Sequence, residues 1–405
     1  MGFPFGDAVV ILNQLEENGY AAYAVGGAVR DYLLGRPVPA VDIATSALPE
    51  HVCALFNRTI PIGIKHGTVA VLYHRQSFEV TTFRSEDGYD DFRHPTYIHF
   101  ERTLEKDLMR RDFTMNALAM DRQGRVIDRF DGQKDMAQNT IRMVGDVDAR
   151  IREDPLRIMR GIRFVAELGF TLAAAEQAAF TRHAFLLTKL SMERVDQEMT
   201  RLLAGPYAVR ALQLLVATHC TDYLPLHAQF TETDWKALQL DVLTADEERW
   251  AAFLAHIREA QPERVARDWK WSSARKRRVC QLLNALNNPQ RAPWTRWRVY
   301  TLQLETAIAV ERLRTALGQS TPGEMTAACH EITQLWASCP VHRASELAVN
   351  GRDFLAWSPE RKGGPWLAEA LRAAEQAVVD GRLRNDRREI GQWFSAWQRE
   401  QSKPS

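Results

Sequence analysis

The spacing of apolar residues changes at about Met143, and that change restricts the chain to a fold built from two kinds of structure. Upstream, short β-branched runs alternate with helical segments. Asp7–Asn18 reads as a helix, Ala21–Val25 as an apolar strand, and Ala28–Leu34 as a second helix entered through a Gly-Gly turn. Thr68–Tyr73 and Phe78–Phe83 flank the polar segment His74–Ser77 and read as a hairpin inside a mixed sheet. Downstream, apolar residues recur every three or four positions, with breaks at Gly205-Pro206, Asn287–Pro293, Gly318–Gly323 and Gly363–Pro365. The expectation is an α+β chain: an N-terminal mixed sheet with helices, then an all-helical remainder. At 405 residues it should form two to four structural units.

Composition excludes several classes of function. Lys+Arg at 52 against Asp+Glu at 51 gives a net charge of +1, so any nucleic-acid surface must be local. Five scattered cysteines without a CxxC pair disfavour a disulfide framework or a zinc site and fit a reducing cytoplasm. No apolar stretch of about 18 residues and no cleavable-type leader occurs, so a soluble, non-exported protein is expected. Arg275–Arg278 is the densest positive cluster; its ordinary reading is a solvated helix face, with an RNA contact as the rival.

Two segments carry chemistry. In Tyr23–Asp31 a strand ends at Gly26-Gly27 and a helix begins, so bare N–H groups and a positive helix end face one spot where an anion can sit. Arg30 adds a charge-assisted contact one turn later. Most Gly-Gly turns are purely structural, so the motif alone is weak. The second segment, Val41–Ser46, embeds Asp42 among apolar neighbours. Carboxylates at i and i+2 of a strand would share one face and could hold divalent metals for displacement at a nucleotide α-phosphate, but the partner position holds Ala40. Alternation in Phe78–Phe83 puts Glu79 with Thr81 on one face; beside Asp42 it would be a further carboxylate, and otherwise an exposed edge residue.

GGAVRDYLLGR, DIATSALPE, HGTVAVLY, FEVTTFR and RRDFTMNALA together resemble the class II nucleotidyltransferases, the family of bacterial CCA-adding enzymes and bacterial poly(A) polymerases. The family signature has Asp-x-Asp where this chain reads Ala40-Val41-Asp42. The resemblance implies a polymerase-beta-like head with Mg²⁺ as cofactor, activating the primer's terminal 3′-hydroxyl and steadying the triphosphate. Only Asp42 carries over as a metal ligand. It further implies Arg111 as a phosphate ligand, Asp112 as the receiver of the ribose hydroxyl, and Asn116 as a support of the site. The polar, Gly-containing segment Arg84–His94 is expected to be a mobile loop over the site.

Glu153–Phe164 opens like a helix, with Pro155 in its first turn and Asp154, Arg157, Arg160 and Arg163 in one polar stripe. Without context this is an amphipathic helix with a basic outer face. A carboxylate beside a guanidinium, however, satisfies the amino donor and ring-nitrogen acceptor that cytosine and adenine share, and leaves guanine and uracil repelled. The resemblance makes Asp154 and Arg157 the base readers and sets Arg160 and Arg163 toward sugar and phosphates. Ser191–Glu198 should cap a helix, with Arg194 and Glu198 bracing the reading helix.

Resemblance to the Bacillus-type CCA-adding enzymes continues to Leu347–Asp353 and Gly364–Trp366 and implies a head (1–142), neck (143–205), body (206–305) and tRNA-binding tail (306–405). Arg275–Arg278 and Lys362 are candidate phosphate contacts. The implied partners are tRNA, CTP and ATP, and a homodimer stays open. The implied activity is addition of C, C and A to a tRNA 3′ end with release of pyrophosphate, crippled by Ala40, as in an engineered inactive variant. A non-catalytic tRNA- or nucleotide-binding homologue is the contrasting reading. A poly(A) polymerase is disfavoured by the tail and by the lack of a long basic extension.

Overall fold

Ala8, Ile11, Leu12 and Leu15, spaced three and four apart, bury one face of helix α1 (Ala8–Glu17). This is the first element of a computed structural model that describes residues 3–89, 95–228, 235–287 and 293–401. Strand β1 (Ala22–Val25), helix α2 (Gly27–Leu33), strand β2 (Asp42–Thr45), helix α3 (Pro49–Leu55) and strands β3 (Thr59–Gly63), β4 (Thr68–Tyr73) and β5 (Gln76–Thr82) follow. The β4–β5 hairpin turns on His74 and Arg75 alone, both at positive φ, so the strand starts two residues earlier than its composition suggested.

Arg84–Tyr89 is strand β6, paired antiparallel with β7 (Pro95–Phe100), and not the loop its polar sequence suggested. Two strands that pair only with each other need no apolar alternation to form backbone hydrogen bonds. The rest of the expected loop, Asp90–His94, lies outside the described residues. Helix α4 (Leu104–Met109), β8 (Leu118–Met120) and β9 (Val126–Asp128) complete a sheet of order β3-β4-β5-β2-β1-β8-β9, in which only the β2–β5 pair is parallel.

Helix α5 (Gly132–Ala137), strand β10 (Thr140–Ile141), and helices α6 (Val147–Glu153) and α7 (Leu156–Leu168) come next. Among the described residues the expected all-helical remainder is interrupted once, at β11 (Thr171–Leu172), which pairs parallel with β10. Gly169, at φ 73°, ends α7 in the left-handed region and turns the chain into this short strand. Helices α8 (Ala174–His183) and α9 (Met192–Ala204) follow; Ser191 stands at the start of α9, but its hydroxyl makes no cap bond.

The chain divides into two compact units, one reaching Trp235 and including Arg264–Trp271, the other holding Lys236–Glu263 and everything from Ser272. The boundaries expected at 142 and 205 both fall inside the first. Arg264–Trp271 belongs there because Trp269 donates to the Pro225 carbonyl at 3.0 Å and Trp271 to Asp196 at 2.8 Å. The second unit is helical in its described residues and packs an aromatic core around Phe354 and Phe394, flanked by Trp357, Trp366, Trp393 and Trp397. Among the described residues no helix is long and apolar enough to cross a membrane.

Candidate active site

Within the first unit, the end of β1, the start of β2, the segment after α4 and helix α7 converge on an open cavity of ≈ 610 Å³. Its wall includes Gly26, Gly27, Arg30 and Asp42 from the sheet side, Arg111, Asp112 and Asn116 from the connecting segment, and Asp154, Arg157, Arg160 and Arg163 at or on α7. The nucleotide-binding residues singled out from the sequence are thus brought together with Asp42, whereas Glu79 and Ala40 are not among the lining residues. Among the described residues nine arginines against three aspartates line the cavity, although Asp31, Asp107, Glu153 and Glu198 neutralise part of that charge from behind. A wall of this sign suits a polyanion.

Gly26, at φ 72°, terminates β1 in a conformation that side chains rarely adopt, and a Cβ there would stand 2.8 Å from Arg111 Nη1. Gly26→Ala is therefore expected to cost about 1–3 kcal/mol, through strain and displacement of Arg111, and to weaken binding of a phosphate-bearing ligand in the cavity. Calorimetric titration with a thermal melt checks both. Arg30 is buried and held flat, donating to both Asp31 oxygens at 3.0 and 2.9 Å and to Asn116 Oδ1 at 2.6 Å.

Asn116 in turn donates to Asp112 at 2.9 Å, and Asp112 also accepts from the Phe113 N–H at 2.8 Å and from Arg160 Nε at 2.7 Å. Burial alone would raise the Asp112 carboxyl; Arg160, Asn116 and the Phe113 amide outweigh it and hold the group far below the ordinary carboxylate range. Arg160 is correspondingly raised, chiefly by Asp112. Fully buried Asp107 accepts from Arg110 Nη2 at 2.8 Å and Arg111 Nη2 at 3.1 Å. Arg111 Nε is buried and has no hydrogen-bond partner among the described residues, a donor that an anion in the cavity would satisfy.

The stripe on α7 is not a solvated face. Arg157 and Arg163 are buried, and Arg163 is engaged by Glu198 at 2.5 Å and Glu167 at 2.7 Å. Asp154 and Arg157 do not pair with each other: Asp154 Oδ2 accepts from Arg194 at 2.9 Å, while Arg157 Nη1 donates to Glu153 at 2.9 Å and to the Arg150 carbonyl at 2.6 Å. Each is held by its own partner, with both at the cavity wall.

Asp42 opens β2, and Ala40 precedes the strand in a segment where Pro37 and Pro39 supply no ladder donors, so the two do not lie on one strand as expected. Ala40 lines a separate cavity with Tyr32, Pro39 and Phe78. Ile43 lies opposite Val80 in the parallel β2–β5 pair, so Asp42 and Glu79, one residue earlier on each strand, emerge together on the other face. The Asp42 side chain reaches solvent, yet the surrounding protein partly desolvates it, and this raises its carboxyl above the ordinary value against the opposing charge of Arg111. A desolvated carboxylate with a second one beside it suits a single divalent cation completed by water and phosphate oxygens. It does not suit a pair of ions, because Ala40 offers no oxygen. Among the described residues no group of three or more His, Cys, Asp or Glu could hold a metal by itself.

Several positions of the cavity wall escaped sequence reasoning. Arg84, Arg110, Leu156, Phe164 and Arg201 also line the cavity, and Arg194, expected only as a brace, does too. The spacing of Asp107 to Arg110 and Arg111, at i+3 and i+4, was a signal for their pairing. In the second unit, Arg278 donates to Thr306 at 2.6 Å and Arg275 packs over the Trp250 ring, so half of the expected basic patch is turned into packing.

Comparison with known proteins decides the family. Residues 22–142 match the family "Poly A polymerase head domain", and residues 242–394 match tRNA nucleotidyltransferase domain 2. The CCA-adding enzyme of Geobacillus stearothermophilus is 44% identical over 402 residues, covering 96% of both chains. The chain belongs to the bacterial CCA-adding enzymes. The enzyme of Geobacillus thermodenitrificans is likewise 44% identical, covering 99% of both. The crystal structure of the Bacillus stearothermophilus CCA-adding enzyme in complex with CTP superposes with a TM-score of 0.91 at 41% identity, covering 99% of each chain. Nucleotidyltransferases of this kind use divalent metal ions.

Proposed function

We propose that this chain binds CTP and ATP in the arginine-lined cavity and serves the addition of C, C and A to tRNA 3′ ends with release of pyrophosphate, in the cytoplasm. The observation that carries the reading is that Asp154 and Arg157 share one cavity with Gly26, Gly27, Arg30 and Arg111. Base recognition and phosphate recognition are then possible for one nucleotide at once. Arg157 spends only Nη1 on protein partners among the described residues, which leaves its other donors for a base. The orphaned Arg111 Nε supports a phosphate contact, and Asp112, held ionised, supports acceptance of a ribose hydroxyl. Asp42 and Glu79 would hold Mg²⁺, which supplies acidification of the primer 3′-hydroxyl and charge neutralisation of the triphosphate. Ala40 weakens that step without touching the binding groups.

The tail after residue 305 and the exposed Lys276, Arg277 and Lys362 are proposed to meet tRNA phosphates, which makes affinity fall with salt. A second reading, binding without catalysis, is favoured by Ala40 alone. The test incubates the protein with tRNA lacking CCA, labelled CTP and ATP, and Mg²⁺. Slow ordered addition of three nucleotides is expected. A long A-tail would replace the reading with polyadenylation, and nucleotide binding without any incorporation would establish the second reading.

A further inference from the structure

We propose that Arg150 ties the phosphate end of the cavity to its base-reading end, so that base discrimination depends on a side chain that does not line the cavity. The proposal rests on the reading of Arg111 as a phosphate ligand and Arg157 as a base reader, and adds a positioning residue to it.

Arg150 lies on α6 and is largely buried. Its Nη2 donates to the carbonyl of Arg111 at 2.9 Å and to that of Arg110, while Nη1 pairs with Glu153. Glu153 Oε2 is also the acceptor for Arg157 Nη1, and that same nitrogen donates to the Arg150 carbonyl. The chain of contacts runs unbroken from the backbone of Arg110-Arg111 through Arg150 and Glu153 to Arg157. The phosphate end of the chain and the helix that carries Arg150 are both pinned. Asp107 holds the Arg110 and Arg111 side chains, and Asp148, on the first turn of α6, is gripped by Arg182 at 2.9 Å and His183 at 2.7 Å from α8.

The planar fork puts the two carbonyls on one nitrogen and the carboxylate on the other in fixed directions, a spread that the compact ammonium of lysine does not match. The arrangement has a consequence for specificity. A wrong base is rejected when Arg157 cannot turn away from it, because unpaired polar groups are then trapped against each other. Releasing Glu153 from Arg150 lets Arg157 reorient and lowers the penalty on uracil, whereas cytosine keeps its favourable arrangement.

Calorimetric titration of the full chain with CTP and UTP provides the test, comparing the parent with Arg150→Met and Arg150→Lys, each first checked by thermal melting. The CTP-to-UTP affinity ratio is expected to fall by about tenfold in Arg150→Met, within the usual range of coupling between sites. The fall should come mainly from tighter UTP binding, and Arg150→Lys should lie closer to Met than to the parent. Equal weakening of both nucleotides would mark Arg150 as merely structural and overturn the proposal, as would an unchanged ratio. Should Arg150→Met not fold, the lysine variant decides alone by the same ratio. A parent chain that itself shows no preference for CTP over UTP would instead overturn the underlying base-reading assignment, and this proposal with it.

Discussion

Replacing Ala40 with aspartate is expected to raise incorporation of CMP into tRNA lacking CCA by about 10³-fold, with the affinity for CTP changed by no more than a few-fold. The size follows from what one metal-ligating carboxylate contributes: several kcal/mol of transition-state charge stabilisation, at about 1.4 kcal/mol for each factor of ten. Binding stays nearly constant because the groups that hold the nucleotide are elsewhere. Arg30 is anchored by Asp31 and Asn116, and Arg111 by Asp107, and neither network includes residue 40. Ala40 is exposed and precedes β2, so Ala40→Asp should alter stability by no more than about 0.5 kcal/mol, and the melting temperature serves as the control. Primer-extension rates with and without Mg²⁺, beside calorimetric CTP titration, check both halves. A variant that binds CTP unchanged and still incorporates nothing would sink CCA addition as the function.

The site was legible where residue type is forced by local geometry. Gly26 must be glycine because of its φ and the nearness of Arg111, and the strand, turn and helix around it follow from apolar spacing. Asp42 among apolar neighbours was visible because a polar group in an otherwise buried pattern needs a partner, and the stripe Asp154 to Arg163 through its three-residue spacing. Partner choice over long sequence separations was legible only in part: Arg194 and Glu198 were expected to brace the reading helix, and they do, but which side chain each one meets was not given. Nothing local says that Asp154 is met by Arg194, 40 residues on, or that Arg163 is met by Glu198, 35 residues on. By spacing alone the stripe reads as a solvated face; the resemblance turned it toward a pocket, and Arg157 and Arg163 are indeed buried. The β6–β7 ribbon was missed because backbone pairing leaves no mark on polar side chains, and the short β11 because a two-residue strand carries no period at all.

Asp107→Asn is expected to weaken CTP binding by at least tenfold and to lower the melting temperature of the first unit by roughly 5–10 °C, from a loss of about 2–4 kcal/mol. The Asp107 side chain is fully buried between two guanidiniums, whose own side chains are 17% and 18% exposed. Neutralising it leaves Arg110 and Arg111 with no negative charge between them and turns an amide NH₂ toward one guanidinium, so Arg111 swings from the cavity wall and from the space beside Gly26. The partial exposure of both arginines lets water compensate in part, which sets the loss below that of a wholly buried ion pair. Burial works to raise the Asp107 carboxyl, but Arg111 and Arg110 prevail and hold it below the ordinary range. A carboxyl depressed in the folded state adds stability that is complete above its unfolded value of about 3.9 and disappears as pH falls through the folded value. The gap in melting temperature between parent and Asp107→Asn should therefore be constant from pH 7 to about 5 and close progressively below about 4. Melting curves of both proteins across that range decide the matter: a gap that persists unchanged to pH 3 would mean that Asp107 acts through its shape and hydrogen bonds, with its charge irrelevant to the placing of Arg111.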